Sequence, residues 1–269
     1  MIDTMMFKAI VPAGTYVAGA EIPLVLVDGP SVVRDGYGEA RLKSVFTIAD
    51  GVSLAPSTVE VKNQNWVDSM INMVTTAGGN GIYTVLSEDG PCFQKGGDMV
   101  LQPNSAFEVK FKVFNATTTT TDTDIFCLID IDYPQVAAIQ NPAEESGAPV
   151  TILRRDAVTI NAYGAAAVGW DTYSVDDFKA GYRYLLAQVG CDAEAVANTT
   201  VGFVKIHGAA GQNGLCQIIP VAPRFAGTTR AHLAYATPMV KGPMLISYQL
   251  FAATAGTDTA TVEFDYIRR

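Results

Sequence analysis

The feature that most constrains this chain is a passage it contains twice. Phe107–Tyr133 reads FEVKFKVFNATTTTTDTDIFCLIDIDY and Met244–Tyr266 reads MLISYQLFAATAGTDTATVEFDY. Laid over each other, Val109, Phe111, Val113 and Phe114 fall on Ile246, Tyr248, Leu250 and Phe251. Thr121-Asp122-Thr123 then meets Thr257-Asp258-Thr259, and Ile131-Asp132-Tyr133 meets Phe264-Asp265-Tyr266. In each copy an alternating apolar run passes through a Thr/Ala/Asp/Gly segment into a second alternating run, the pattern of a β-hairpin. Each copy also closes one half of the chain. The signature Phe111, Phe114, Asp132, Tyr133 and its echo Tyr248, Phe251, Asp265, Tyr266 therefore predict a duplicated β-domain.

The stretches between the copies read the same way. Residues 7–27 give two short strands about a Gly/Ala/Pro turn, and Leu42–Ile48, Thr58–Lys62 and Ile82–Leu86 continue the pattern. In the second half, Val150–Tyr163, Tyr182–Val189, Thr200–His207, Leu215–Val221 and Ala231–Ala236 are strand candidates. Two exceptions stand out: Trp66–Thr75 is patterned as a short helix and Asp171–Lys179 as a helical turn. The stretch Pro134–Pro149, PQVAAIQNPAEESGAP, interrupts the β pattern with prolines and an acidic pair. It divides the chain into a first domain at 1–135, a Pro-rich linker at 136–149 and a second domain at 150–269. Roughly eight short strands per half predict an all-β protein of two tandem eight-stranded antiparallel β-sandwiches, jelly rolls, related by internal duplication.

Composition narrows the function. Apolar residues make up 49% of the 269 and charged residues only 17%, ample material for cores and contact surfaces. A net charge of −9 speaks against direct nucleic-acid binding, which needs basic clusters. The start, Met1-Ile2-Asp3, lacks the basic region of an export signal, so the four cysteines are expected as free thiols. Met1–Phe7 is too apolar for a free tail and reads as an arm reaching a neighbouring molecule.

No catalytic constellation is legible. The two histidines, His207 and His232, lack the spacing of a metal site, and no Gly-x-Ser-x-Gly elbow is present. Gly78-Gly79-Asn80-Gly81 is a turn rather than a phosphate loop, since no Lys-Ser/Thr follows. Asp130 and Asp132, with Glu144-Glu145, read as an outward strand face and solvated linker residues. Asp122 and Asp124 are weak candidates for a cation site at a contact between subunits. Trp66, Trp170, Tyr163 and Tyr173 fit a core or an interface better than a sugar platform. No cofactor is expected.

Two tandem eight-stranded halves joined by a Pro-rich linker, with the paired segments 107–133 and 244–266, resemble the double jelly-roll major capsid proteins of tailless icosahedral viruses. The resemblance is one of architecture and spans nearly the whole chain. It implies a structural, non-enzymatic subunit whose partner is itself: a homotrimer presenting six jelly rolls as a pseudo-hexameric block that tiles an icosahedral shell. It further implies other capsid or vertex proteins as partners, an internal membrane in many relatives, and a place in the virion shell after assembly in the host cytoplasm. The short chain implies short loops at the outer end of the block. Two other readings stay open: a tandem β-sandwich adhesion, carbohydrate-binding or phage fibre protein, and an enzyme built on a β-sandwich. The mass of the protein in solution separates the first reading from both.

Overall fold

The computed structural model describes the backbone of residues 2–50, 57–74, 82–87, 100–120 and 122–133, and the strands between 149 and 268. Side chains are described at 3–47, 57–70, 100–120 and 122–133, and at Phe203, Lys205 and Ile218. The chain forms two compact units, Asp3–Pro134 and Gln135–Arg269. Every described element is a β-strand.

The first unit comprises β1 (Ile2–Val11), β2 (Gly14–Tyr16), β3 (Glu21–Asp28), β4 (Ala40–Asp50), β5 (Ser57–Asn63) and β6 (Met70–Val74). It continues with β7 (Ile82–Ser87), β8 (Val100–Leu101), β9 (Phe107–Val113), β10 (Thr117–Thr119) and β11 (Thr123–Asp132). Apart from a small β2–β10 ribbon, these make one curled sheet ordered β6-β5-β9-β3-β1-β11-β4-β7, with β8 alongside β4. The pairing is nested: β1 lies beside β11, β3 pairs with β9, β4 with β7 and β5 with β6. A long hairpin rolled up on itself has this order, and that is the threading of a jelly roll.

The second unit runs β12 (Pro149–Ala162), β13 (Asp171–Val175), β14 (Arg183–Ala193), β15 (Val201–Gly208) and β16 (Cys216–Val221). It ends with β17 (Pro223–Arg224), β18 (Met239–Lys241), β19 (Met244–Ala252) and β20 (Gly256–Arg268). Its sheet is ordered β16-β15-β19-β12-β20-β14-β17, with β13 on β19 and β18 on β14. Here too the pairs nest: β12 with β20, β13 with β19, β14 with β18 and β15 with β16.

Four sequence expectations change. The repeated passages are not hairpins. Between β9 and β11 lie β3 and β1, and between β19 and β20 lies β12. Alternation identifies a strand without naming its neighbour, and here the segment after β9 crosses to another part of the sheet. Residues 2–7 are not an arm reaching a neighbouring molecule: they belong to β1, which sits inside the sheet, and Asp3–Phe7 are all buried. Within the expected helix at 66–75, residues 66–69 form an irregular bend and Met70–Val74 form β6, which pairs with Val61–Ser57 of β5. Residues 171–175 form β13 against β19. In both places the backbone bonds offered by an adjacent strand outweigh a weak local helical pattern.

Two kinds of strand build the first unit. In β9 (FEVKFKV), Phe107, Val109, Phe111 and Val113 are buried while Glu108, Lys110 and Lys112 face outward, the alternation of a sheet with one wet face. β11 (TDIFCLIDID) is buried at every residue except the partly exposed Asp132, so both of its faces are covered. Both ends of the roll are tied by polar contacts. At one, Val33 N donates to Ser105 O at 2.9 Å and Asn63 Nδ2 to Ser105 Oγ at 2.9 Å. At the other, Ala13 N donates to Asp122 Oδ1 at 2.8 Å and Gly19 N to Val113 O at 2.8 Å.

Candidate functional site

The repeat signature separates into different environments. Phe111 is fully buried beside Val59 and Ile22 in the ladders, whereas Phe114, just past the end of β9, is 65% exposed. Tyr133 is buried and anchors a loop: its hydroxyl accepts the Arg34 backbone N–H at 2.9 Å, and its ring lies 5.5 Å from that of Tyr37. Burial pushes the phenol up to about 12. The same loop is held by Arg34 Nε, which donates to the buried Asp3 Oδ2 at 2.6 Å. Asp132 sits opposite Arg41 in the β4·β11 ladder. In the second unit Tyr248 faces Val204, Phe251 faces Val201, Asp265 faces Thr151 and Tyr266 faces Val150; the side chains of these four lie outside the described set.

Asp122 and Asp124, the candidate cation ligands, each have a partner within the chain. Asp122 caps the Ala13 amide. Asp124 is buried with Lys8, whose ammonium lies 3.2 Å from Oδ2 and 5.3 Å from the centroid of the Phe126 ring. Burial raises the Asp124 carboxyl; Lys8 opposes that rise and Asp122 adds to it. Among the described residues no group of three His, Cys, Asp or Glu side chains is placed to hold a metal. Trp66 packs edge-on against Phe107, ring centroids 5.7 Å apart, as a packing residue would. His232, Trp170, Tyr163 and Glu144-Glu145 lie outside the described residues, and His207 is placed only by its backbone, opposite Cys216.

Asp130 departs from its expected outward, solvated position. It is buried at the centre of the sheet, where Oδ1 accepts the Thr4 hydroxyl and Oδ2 the Ser44 hydroxyl, both at 2.7 Å. One carboxylate thus ties β1, β11 and β4 together. Desolvation raises it to about 6 against the pull of the two hydroxyls; Asp3 raises it further and Lys43 lowers it. The signal was present in the sequence. A carboxylate inside the run DIFCLIDID belongs to a strand covered on both faces, since a half-wet strand would alternate. Cys127, on the same strand, is a free buried thiol whose pKa burial pushes up to about 12, inert rather than nucleophilic.

The outward face of the neighbouring strands is organised differently. Cross-strand partners there carry opposite charges: Lys62 opposite Glu108, Glu60 opposite Lys110, and Glu21 opposite Lys112. The ammonium of Lys110 lies 2.7 Å from Glu108, and that of Lys112 lies 3.4 Å from Glu21 and 3.6 Å from Glu60. Among the described residues no helix is long and apolar enough to cross a membrane.

No protein-family model matches the chain, and no curated protein is similar to it. Among solved structures, a chain from the triple jelly-roll fold and turret assembly of an archaeal virus is 10% identical, with a TM-score of 0.29 over 97% of this chain. This chain spans only 59% of that one's length. The STIV MCP is 11% identical with a TM-score of 0.24, covering 97% of this chain and 96% of its own. The PBSX exported protein XepA is also 11% identical, with a TM-score of 0.25 and coverage of 97% and 86%. Scores this low carry no inference about what the chain binds or builds. The class rests on its own strands: an all-β protein with a curled antiparallel sheet in jelly-roll order.

Proposed function

We propose that the chain is a double jelly-roll shell subunit, a structural protein that forms trimers of pseudo-hexagonal outline and tiles a closed viral capsid. The observation that carries this reading is the nested strand order, which recurs in both halves of one chain. In this reading the halves are two eight-stranded sandwiches related by duplication, the extra short strands belonging to their connections. The domains are 1–135 and 150–269, joined by the Pro-rich 136–149. Two similar rolls in one chain give a three-fold assembly six similar edges, so that identical copies can meet neighbours on all sides. The composition supports the same reading: a chain that buries surface against its own copies is apolar and sparsely charged. The place of action is the virion shell, the partners are further copies and vertex proteins, and the chain performs no catalysis.

The test is the mass of the purified protein by native mass spectrometry, with electron images of the same sample. A complex of three 28.6 kDa chains, or closed shells built from it, is the expected result. A monomer at all concentrations would overturn the reading and favour a carbohydrate-binding or fibre protein.

A further inference from the structure

We propose that the outward face formed by β1, β3, β9 and β5 of the first unit is a contact surface between copies of this chain. The inference rests on the assembly reading above and specifies where one of its contacts lies. Three observations point to it.

First, β3 exposes an apolar strip. Along EIPLVLVD the outward positions after Glu21 are Pro23, Val25 and Val27, with Val25 63% and Val27 49% exposed. Lys8 of β1 is the direct ladder partner of Val25, so Ile10, two residues further on, shares that face and is 37% exposed. A single exposed valine is ordinary, but a run of four apolar side chains on adjacent strands is the composition of an interface core.

Second, the strip is bordered by the charged ladder. Pro23 lies opposite Lys110 and Glu21 opposite Lys112, and Glu60, Lys62 and Glu108 complete the array. An apolar centre with a polar, alternating margin is the anatomy of a protein–protein contact.

Third, the signs cancel. The array holds three glutamates and three lysines, while the whole chain carries −9. Copies of an acidic protein repel each other over most of their surface, and that repulsion is least where charge is locally balanced. Alternating rows of opposite sign also allow one copy's lysines to register against another's glutamates. A basic or strongly acidic partner finds no net field here, so a second copy is the occupant this surface fits.

The test uses the full chain carrying V25E/V27E, and separately K110E/K112E. The second variant leaves the apolar strip intact and makes the array acidic. Native mass spectrometry and sedimentation velocity are run beside the wild type, with far-UV circular dichroism to confirm the β fold. The expected result is a wild-type oligomer and variants whose self-association is weakened at least tenfold while they stay folded. If the wild type assembles and a folded variant assembles equally well, this face is not the contact, although the assembly reading survives. If the wild type itself is a monomer, the assembly reading falls and this inference with it.

Discussion

Asp130 shows how a single buried group makes stability depend on pH. Its carboxyl ionises near pH 6 in the folded chain, against roughly 3.9 for an unperturbed aspartate. Between those values the folded chain holds a proton that the unfolded chain has released, so this residue makes the fold more stable as pH falls from 7 towards 4. The difference amounts to about 3 kcal/mol for a shift of this size. Asn can accept one hydroxyl and donate to the other without ionising. D130N is therefore expected to be more stable than the wild type at pH 8 and to lose that advantage by pH 4, as measured by urea denaturation across the range. A gap that stayed constant with pH would show that ionisation is not its source.

Phe111 and Phe114 test burial at the same scale. F111A empties a fully buried site and is expected to cost about 3–5 kcal/mol, whereas F114A should fall within about 0.5 kcal/mol of the wild type. Arg34 makes a third case: R34A leaves Asp3 buried without its guanidinium and is expected to cost about 3 kcal/mol. Thermal and chemical denaturation of the three variants reads all of these outcomes.

Between elements, the most restrictive point is the end of β3. Gly29 follows it at φ +89°, and a Cβ there would sit 2.1 Å from the backbone carbonyl oxygen of Thr4 in β1. The glycine lets the chain leave β3 while passing against β1. G29A is expected to destabilise by about 2–3 kcal/mol, through both the left-handed backbone and the clash, and denaturation midpoints would reveal it. This scale also separates what the sequence made legible from what it did not. Strand positions such as 107–113, 123–132 and 244–252 were readable, because alternation and β-branched residues mark a pleated surface. Pairing was not. Phe111 is shared between Val59 and Ile22, and nothing in FEVKFKV specifies either partner. Helical spacing in WVDSMINMV was misleading, since Met70–Val74 is short and its partner β5 lies outside any local window. The depth of Asp130 was written in its apolar neighbours, but the hydroxyls that hold it come from two other strands.

For the whole molecule, charge and apolar surface act in opposite directions. Nine net negative charges push copies apart at low ionic strength, and salt screens that repulsion while leaving apolar contacts intact. Self-association is expected to strengthen as salt rises from about 20 mM to about 300 mM, where the Debye length contracts from roughly 20 Å to about 6 Å. Sedimentation velocity at both ends of that range would detect it. Weakening with salt would mean that ion pairs, rather than apolar strips, hold the copies together.

The nested strand order also governs the timing of synthesis. Thr4 and Asp130 are joined across the central strands yet stand 126 residues apart in the chain. At about 5–20 residues per second, a ribosome needs roughly 6–25 s to deliver the second after the first. Throughout that interval β1, whose Asp3–Phe7 are buried in the folded unit, has emerged without β11, its eventual neighbour. The second half repeats the delay, because β12 must wait for β20, its antiparallel partner. The first strand of each unit thus waits for a late one, and a nascent chain stalled before residue 123 or 256 would present an unpaired strand edge to whatever else the cell offers.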